Sequence, residues 1–597
     1  MKRRVADIIV ETLIKHNITD CFSVVGGGAM HLNNAFAIHE DINLMYNHHE
    51  QACAMAAEGY ARMSGKLAAV CVTSGPGGTN AVNGVQGAYV DSLPMIVISG
   101  HPRYATTVEA TGLKHLRCRG VQENDIVTMV QKVTKYAKCV YDPKYAQYEV
   151  EKAIDIALDG RRGPVWIDVP LDVQGALVEE SELTKYQREE TLNTLKDKEI
   201  EELFLEIEKA ERPCILTGSG IRTGMAWDEY QKFIQHVKIP IVGGCIQADI
   251  NSQEDEGYYG MSGNSGPRCG NFILQNADLI LVLGNSLSYK QTGFNQEEFA
   301  KHAKIIMIDA EEDEAKKQGL HIERVLVSDL RKFFEKSNKM HRQIEAPAAW
   351  REYCDMVKNS FPRYEMLEKN RDHIQQTDPV AMLDFWKHYM ASAPKDQIIA
   401  LGNSSCISGV LWEGTEYRQQ RVLVNYNAGS MGHDLPNAIG AAKASGKSVT
   451  LVTGDGSIMM NLQELQTIRH YNLPVKVVVF SNHGYGAIRN TCTNFFHGTY
   501  TGCDEKSGVS FPEFSKVADT FGLPFKCCHC TGELDESIQW MQEQKGSCLL
   551  EVKERIDEIP NLKVGSTMQE DGSFVTDPLH ELSPKLEKEQ MEKFMIS

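Results

Sequence analysis

The sequence predicts an α/β protein of three doubly wound parallel-sheet domains, with the first and third related to each other. Three observations predict it. Apolar runs of strand length close on glycine turns and alternate with stretches of helical spacing, the pattern of buried parallel strands and their crossovers. A block of sequence recurs far along the chain in the same order. The 597 residues, 42% of them hydrophobic, suffice for three cores of ordinary size.

In the first domain, residues 1–180, Asp20 to Val25 reads as a strand closing on Gly26-Gly27-Gly28. Asn43 to Asn47 reads as a second strand, followed by Glu50 and a small-residue helix over Gln51 to Arg62. A third run ends on Thr73-Ser74-Gly75-Pro76-Gly77, a fourth spans Ile96 to Ser99, and Gly163 to Pro170 is the last strand. The polar tract Ser181 to Glu199 is a linker. The middle domain, 200–336, opens on Arg212 to Gly218 and continues through strands at Ile239 to Gly243, Leu279 to Leu283 and Ile305 to Ile308. A charged tract, Ser337 to Pro379, leads to the third domain, 375–560. There Ile398 to Leu401 ends on Gly402-Asn403-Ser404-Ser405, Ser448 to Thr453 on Gly454-Asp455-Gly456, and Val475 to Phe480 on Ser481-Asn482-His483-Gly484. Leu462, Leu465 and Ile468 predict a helix over Asn461 to His470. Residues 561–597 form a tail, charged and amphipathic from Asp577 onward.

The repeat ties the outer domains together. Ala57 to Lys66 matches Ala438 to Lys447 at Ala, Gly, Ala, a basic residue and Ser-Gly-Lys. Each copy then enters an apolar strand closing on a glycine turn, and Leu93-Pro94 recurs as Leu473-Pro474. Three matches in order argue for two copies of one domain. By this repeat Glu50 corresponds to the loop Ala428-Gly429-Ser430-Met431-Gly432, so both loops are expected to face one ligand.

A right-handed crossover places Asp455 and Asn482 together at the carboxyl edge of adjacent strands, where α/β sheets bind ligands. Mg²⁺ takes oxygen ligands in near-octahedral geometry, usually from one or two side chains plus phosphate oxygens. The Asp455 carboxylate, the Asn482 amide oxygen and a main-chain carbonyl near Gly484 leave room for a diphosphate and a water. Gly454 and Gly456 let backbone approach the phosphates, and the helix start offers free N–H groups. A Gly-Asp-Gly turn alone is more often a plain strand ending. Asn482 at the next strand end favours the clamp.

From Gly454-Asp455-Gly456-Ser457 through Asn482 the chain resembles the thiamine diphosphate signature. Gly454 to Leu465 is similar to the acetohydroxyacid (acetolactate) synthase branch of that superfamily, and the likeness spans three domains in order. The resemblance implies pyrimidine-binding, central and diphosphate-binding domains, with thiamine diphosphate and Mg²⁺ as cofactors. It implies that Glu50 hydrogen-bonds N1′ of the aminopyrimidine and promotes the tautomer that takes the thiazolium C2 proton; a carboxyl buried between domains suits that task. Met431 resembles the bulky residue wedged between the cofactor's rings. Gly402, Asn403, Ser404, Gly429, Gly454, Gly456, Ser457 and Tyr485 fall among the cofactor-binding positions, and Asp455, Asn482 and Gly484 are the implied metal ligands. Gly27 belongs to the close-approach loop over the reacting carbon. Gln122, in Val121-Gln122-Glu123, resembles the family's Phe-Gln-Glu with valine replacing the aromatic. In relatives C-terminal tails fold over the cleft.

The implied reaction is decarboxylation of a 2-oxo acid, pyruvate first, and transfer of the acyl unit to an acceptor carbonyl. Where acetolactate synthases carry Arg-Gln-Trp, this chain reads Arg489-Asn490-Thr491, and Thr491 opens space. Thr493 to Tyr500 is polar and aromatic, so a second 2-oxo acid and a keto-sugar nucleotide both stay open as acceptors. A simple non-oxidative decarboxylase, an oxidase and a catalytically silent nucleotide-binding paralogue are the rivals. FAD also stays open: Gly218-Ser219-Gly220-Ile221-Arg222-Thr223-Gly224 is a weak dinucleotide loop, and Gly284-Asn285-Ser286-Leu287 lacks the arginine the resemblance leads one to expect. The resemblance further implies a homodimer or homotetramer with active sites between subunits.

A net charge of -18 argues against nucleic-acid and anionic-membrane partners. Sixteen cysteines scattered through apolar runs, an N-terminus without a secretory pattern and the lack of a membrane-length run point to the reducing cytoplasm. Cys527-Cys528-His529-Cys530 invites a zinc reading, but neighbours in a strand point to opposite faces, so buried thiols are the expectation.

Overall fold

The strands that were expected to be buried on both faces lie in three six-stranded parallel sheets of a computed structural model, which describes residues 2–188, 194–557 and 561–596. The first sheet holds β1 (Asp20–Ser23), β2 (Asn43–Tyr46), β3 (Ala68–Val72), β4 (Met95–His101), β5 (Tyr136–Cys139) and β6 (Pro164–Pro170), in the order β2-β1-β3-β4-β6-β5. The middle sheet holds β7 (Pro213–Thr217), β8 (Ile241–Gly244), β9 (Tyr258–Ser262), β10 (Leu279–Leu283), β11 (Lys304–Asp309) and β12 (Ile322–Val327) in the order β9-β8-β7-β10-β11-β12, the dinucleotide-fold arrangement. The third holds β13 (Ile398–Leu401), β14 (Arg421–Leu423), β15 (Val449–Gly454), β16 (Val475–Ser481), β17 (Phe525–Cys528) and β18 (Cys548–Lys553), in the order β14-β13-β15-β16-β18-β17. Counted along each domain, the first and third orders are identical, so the sequence repeat is a repeat of topology.

The repeated small-residue segments form α1 (Glu50–Ser64) and α3 (Asp434–Ser445), which pack on one another between the outer domains. Their glycines are required there. A Cβ on Gly59 would stand 2.3 Å from the Asn437 carbonyl oxygen, and one on Gly440 only 1.9 Å from that of Ala56. A single apolar core therefore runs from the first sheet through these helices into the third. A buried polar knot locks the seam: His433 Nε2 lies 2.9 Å from Glu58 Oε2, and Arg62 Nε donates to Glu58 Oε1 at 3.0 Å. Burial alone would raise the Glu58 carboxyl, but His433 and Arg62 outweigh it and hold it down at about 2.

Several segments differ from expectation. The turn at Asp455 opens directly into helix, as short turns over Asp455–Ile458 and Met459–Asn461 before Glu464–Tyr471, so the helix starts at the aspartate rather than at Asn461. Of the linker 181–199, residues 189–193 lie outside the described residues, and a helix already begins at Asp197. The charged tract 337–379 carries the helix Ala348–Ser360, whose Trp350, Cys354 and Val357 share one buried face. Trp350 Nε1 donates to Pro213 O at 2.9 Å, which fastens this helix to the middle sheet. The start of the tail borders the cleft, with Asn561 and Lys563 in the cavity beside Asn482, and the rest turns away. From Leu579 it runs along the middle-domain helix Arg268–Asn276, where Asn271 donates to Leu579 O at 2.9 Å and Asn276 to Phe594 O at 3.0 Å. The cause is apolar: Leu579, Leu582 and Phe594 join the middle core. Among the described residues no helix is long and apolar enough to cross a membrane.

Candidate active site

Register fixes the centre of the third-domain site. Gly454 at the end of β15 pairs with Phe480 of β16, so Asp455 and Asn482 leave neighbouring strands side by side. The Asn482 N–H donates to Asp455 Oδ2 at 3.1 Å. Asp455 is only 2% exposed. Burial pushes its carboxyl up to about 6, against the N–H groups of His483, Gly484, Gly456 and Asn482 that favour the anion. Among the described residues no cationic side chain pairs with it. A buried carboxylate held only by backbone donors is the donor a divalent cation would satisfy.

Asn482 is anchored on two sides. Its Nδ2 donates to Glu554 Oε2 at 2.7 Å, while Arg489 donates to its main-chain oxygen at 2.9 Å and also to Oδ1. An amide oxygen accepts two bonds, so Oδ1 keeps one lone pair for a cation. Burial and the neighbouring Asp455 drive the Glu554 carboxyl well above the usual carboxylate range, with Asn482, Ser405 and Arg489 opposing. Sequence reasoning missed Glu554. The available signal was an acid-base pair, Glu554-Arg555, directly after the last apolar run of the sheet.

The surrounding loops are tied to this turn. Ser457 Oγ accepts from the Gly432 N–H at 3.0 Å, and Asn403 Nδ2 donates to Gly429 O at 2.8 Å. The loops holding Gly402, Asn403, Ser404, Gly429 and Met431 therefore meet the Gly454-to-Ser457 turn. Gly402 abuts the Asp434 carboxylate and Thr453, Ser404 is exposed with a φ of 62°, and Met431 is half-buried. Tyr485 lies against the turn itself: a Cβ on Gly456 would meet its ring at 2.2 Å. Gly484 is pressed against the Cys503 carbonyl.

The first-domain residues gather on the equivalent turn. Gly28 N donates to Thr73 Oγ1 at 3.1 Å, while Gly27 has open space around it. Gln122 is exposed, with a φ of 57°, and its carbonyl sits beside Gly75. Glu50 starts α1; its Oε2 accepts from Asn80 Nδ2 at 3.0 Å, and Oε1 lies beside Gly77. Glu50 is half-buried, and its partner Asn80 belongs to its own domain. Asn80 is a second residue the sequence did not single out. The two loops expected to face one ligand both reach Asn461, whose Nδ2 donates to Gly432 O at 2.7 Å and to Gln51 Oε1 at 3.2 Å.

In the middle domain, Gly218 and Gly220 abut Gly284: a Cβ on Gly218 would stand 2.3 Å from the Gly284 oxygen. Close strand-loop packing thus accounts for these glycines. The cavity beside them, about 90 Å³, is rimmed by Asp309, Arg161 and Arg162; Arg161 donates to Glu314 Oε1 at 2.7 Å and Arg162 to Gly65 O at 3.0 Å. Cys527 Sγ lies 3.7 Å from His529 Nδ1, but Cys528 is buried on the other side of the strand.

Comparison with known proteins agrees with this arrangement. The thiamine pyrophosphate enzyme N-terminal TPP binding domain matches residues 3–128, the central domain 200–336 and the C-terminal TPP binding domain 404–552. Acetolactate synthase 2, chloroplastic, of Nicotiana tabacum is 30% identical over 583 residues, covering 92% of this chain and 82% of that protein. The acetolactate synthase isozyme 2 large subunit of Escherichia coli (strain K12) is 28% identical over 572 residues, covering 93% and 96%. With all three family domains in order and a relative this similar across most of both chains, the chain belongs to the thiamine pyrophosphate enzyme family and is a thiamine pyrophosphate-dependent enzyme of the acetolactate synthase-like type.

Proposed function

We propose that this enzyme is a Mg²⁺-dependent carboligase that decarboxylates a 2-oxo acid, pyruvate first, and transfers the acyl unit to the carbonyl of a hydroxyl-rich, phosphate-bearing acceptor such as a keto-sugar nucleotide. The observation that carries the metal and diphosphate assignment is the buried Asp455, held by backbone N–H groups, beside Asn482. Thiamine diphosphate, when bound, supplies the electron sink that lets a 2-oxo acid lose CO₂ and its acyl carbon attack a carbonyl. Asp455 and Asn482 would hold Mg²⁺, which would supply positive charge for the diphosphate, and Glu554 fixes the Asn482 amide. Asn80 holds one oxygen of Glu50, leaving the other to share a proton with the pyrimidine ring. Gly27 and Gln122 would border the reacting carbon.

The acceptor reading is supported by a cavity of about 550 Å³ that extends from the diphosphate positions Ser404 and Asn482 to Asn490, Asn494, Asn561, Arg555 and Lys563. Amides suit hydroxyls and the two cations suit phosphate. FAD would have to extend well beyond the middle-domain cavity of about 90 Å³, and the visible spectrum of the purified protein decides whether a flavin is bound. We assign the site to a homodimer or larger homo-oligomer in the cytoplasm. The bonded partner of Glu50 stays within its own domain, and Val25 and Val121, beside Gly27 and Gln122, are 58% and 84% exposed, an apolar rim that a second chain would cover.

Incubation with pyruvate, thiamine diphosphate and Mg²⁺, with and without keto-sugar nucleotides and 2-oxo acids, read by mass spectrometry, tests the proposal. An acyl-extended sugar nucleotide is the expected product. Free acetaldehyde in every arm would establish a decarboxylase instead.

A further inference from the structure

Away from both strand-end clusters, three neighbouring strands of the first sheet bring metal-ligating atoms together. β6 lies between β4 and β5, and its Asp168 is opposite Ser99 on one side and Cys139 on the other. His101, two residues beyond Ser99, shares that face. His101, Cys139 and Asp168 thus offer one ligand atom each within 4.8 Å of one another, and among the described residues they are the group of His, Cys and carboxylates so placed. His101 Nδ1 stands 2.8 Å from Asp168 Oδ2.

The cluster is built rather than incidental. Asp168 Oδ1 accepts from Ser99 Oγ at 2.5 Å, and Trp166 Nε1 donates to the same hydroxyl at 2.7 Å, so the carboxylate is oriented from behind as outer-shell partners orient metal ligands. Asp168 is 1% exposed and His101 7%, yet all three side chains line a cavity of about 500 Å³ that also takes in Glu109, Glu123 and Tyr141. A buried ligand set with an open side is the form of a site that keeps a position for water or a small ligand.

We propose that His101, Cys139 and Asp168 form a second metal site, for a borderline divalent cation of the Zn²⁺ class, separate from the Mg²⁺ site at Asp455. The donor chemistry selects the ion: imidazole nitrogen and thiolate suit Zn²⁺ and exclude Mg²⁺, which takes oxygen. With metal–sulfur and metal–nitrogen distances of about 2.3 and 2.0 Å, closing the cluster needs side-chain shifts of about 1 Å. The ion would sit beneath the loop bearing Gln122, because Glu123, on the cavity wall, accepts the N–H groups of Val108, Arg119 and Gly120 that shape that loop. The competing account is a hydrogen-bonded His–Asp pair with a thiol nearby.

The test uses the full-length protein, purified without chelators and dialysed against Mg²⁺. Elemental analysis is expected to find about one equivalent of Zn²⁺ per chain, as one three-ligand site requires. Co²⁺ in its place should give a thiolate-to-cobalt charge-transfer band that Cys139→Ser removes. Zn²⁺ should raise the melting temperature of the wild type but not of Cys139→Ser or His101→Gln, each shown folded by circular dichroism. The proposal is overturned if no band forms, if both variants keep the Zn²⁺ content of the wild type, or if Cys527→Ser removes the metal instead. A His101→Gln variant that is destabilised while the wild type ignores Zn²⁺ would establish the plain pair.

Discussion

The first and third domains share one strand order and differ at one turn. After its central strand the first reads Gly75-Pro76-Gly77, and the third Gly454-Asp455-Gly456. Proline at the start of α2 (Pro76–Val90) presets the helix and carries no charge; its neighbourhood receives a carboxylate from Glu50, reached through Asn80. Aspartate at the same place fixes a carboxylate inside the turn, where backbone N–H groups converge. The fold therefore decides where a site can form, and on the proposed function one residue decides whether that end of the sheet would bind a cation or handle a proton.

Removing either acid should break the comparison in opposite ways. Asp455→Ala is expected to weaken Mg²⁺-dependent thiamine diphosphate uptake by more than about 100-fold, since even outer-shell partners are worth about 10- to 100-fold. Titration by circular dichroism measures it. Glu50→Gln should bind cofactor as the wild type does yet lose about 10²- to 10⁴-fold in turnover, the range of a lost general acid–base group. Equal losses of binding in both variants would show that the two turns do not divide the work.

Steric contrast gives a smaller effect. Gly456→Ala drives a methyl into the Tyr485 ring and should cost about 1–3 kcal/mol in thermal or urea unfolding, whereas Gly27→Ala, in open space, should leave stability unchanged. Tyr485→Ala should rescue the first variant.

The pH response is subtler. A carboxyl raised to about 6 in the folded chain binds its proton more tightly there than when unfolded, so between roughly pH 4 and pH 6 the metal-free protein loses stability as pH rises. Above pH 6 that cost is fully present, and Mg²⁺ should relieve it. The Mg²⁺-induced rise in melting temperature is therefore expected to grow through about pH 6 and to vanish in Asp455→Asn. Glu554→Gln isolates the contribution of the second raised acid and should keep a Mg²⁺-induced rise, because Asp455 remains.

The strands and turns were legible because apolar runs and glycines are local signals, and the repeat doubled them. Asp455 and Asn482 were legible because a crossover has one hand. Glu554 and Asn80 were not: each meets its partner, Asn482 or Glu50, through a side-chain contact between separate elements, and no periodicity in the chain records such a meeting. The helix Ala348–Ser360 was hidden by its charged face, although Trp350, Cys354 and Val357 stood at helical spacing.

The glycine seam between α1 and α3 also limits how this molecule can move. With carbonyl oxygens of one helix seated where side chains of the other would begin, neither half can slide or swivel on its neighbour without a collision of main chains. The two sheet ends therefore behave as a single rigid casting.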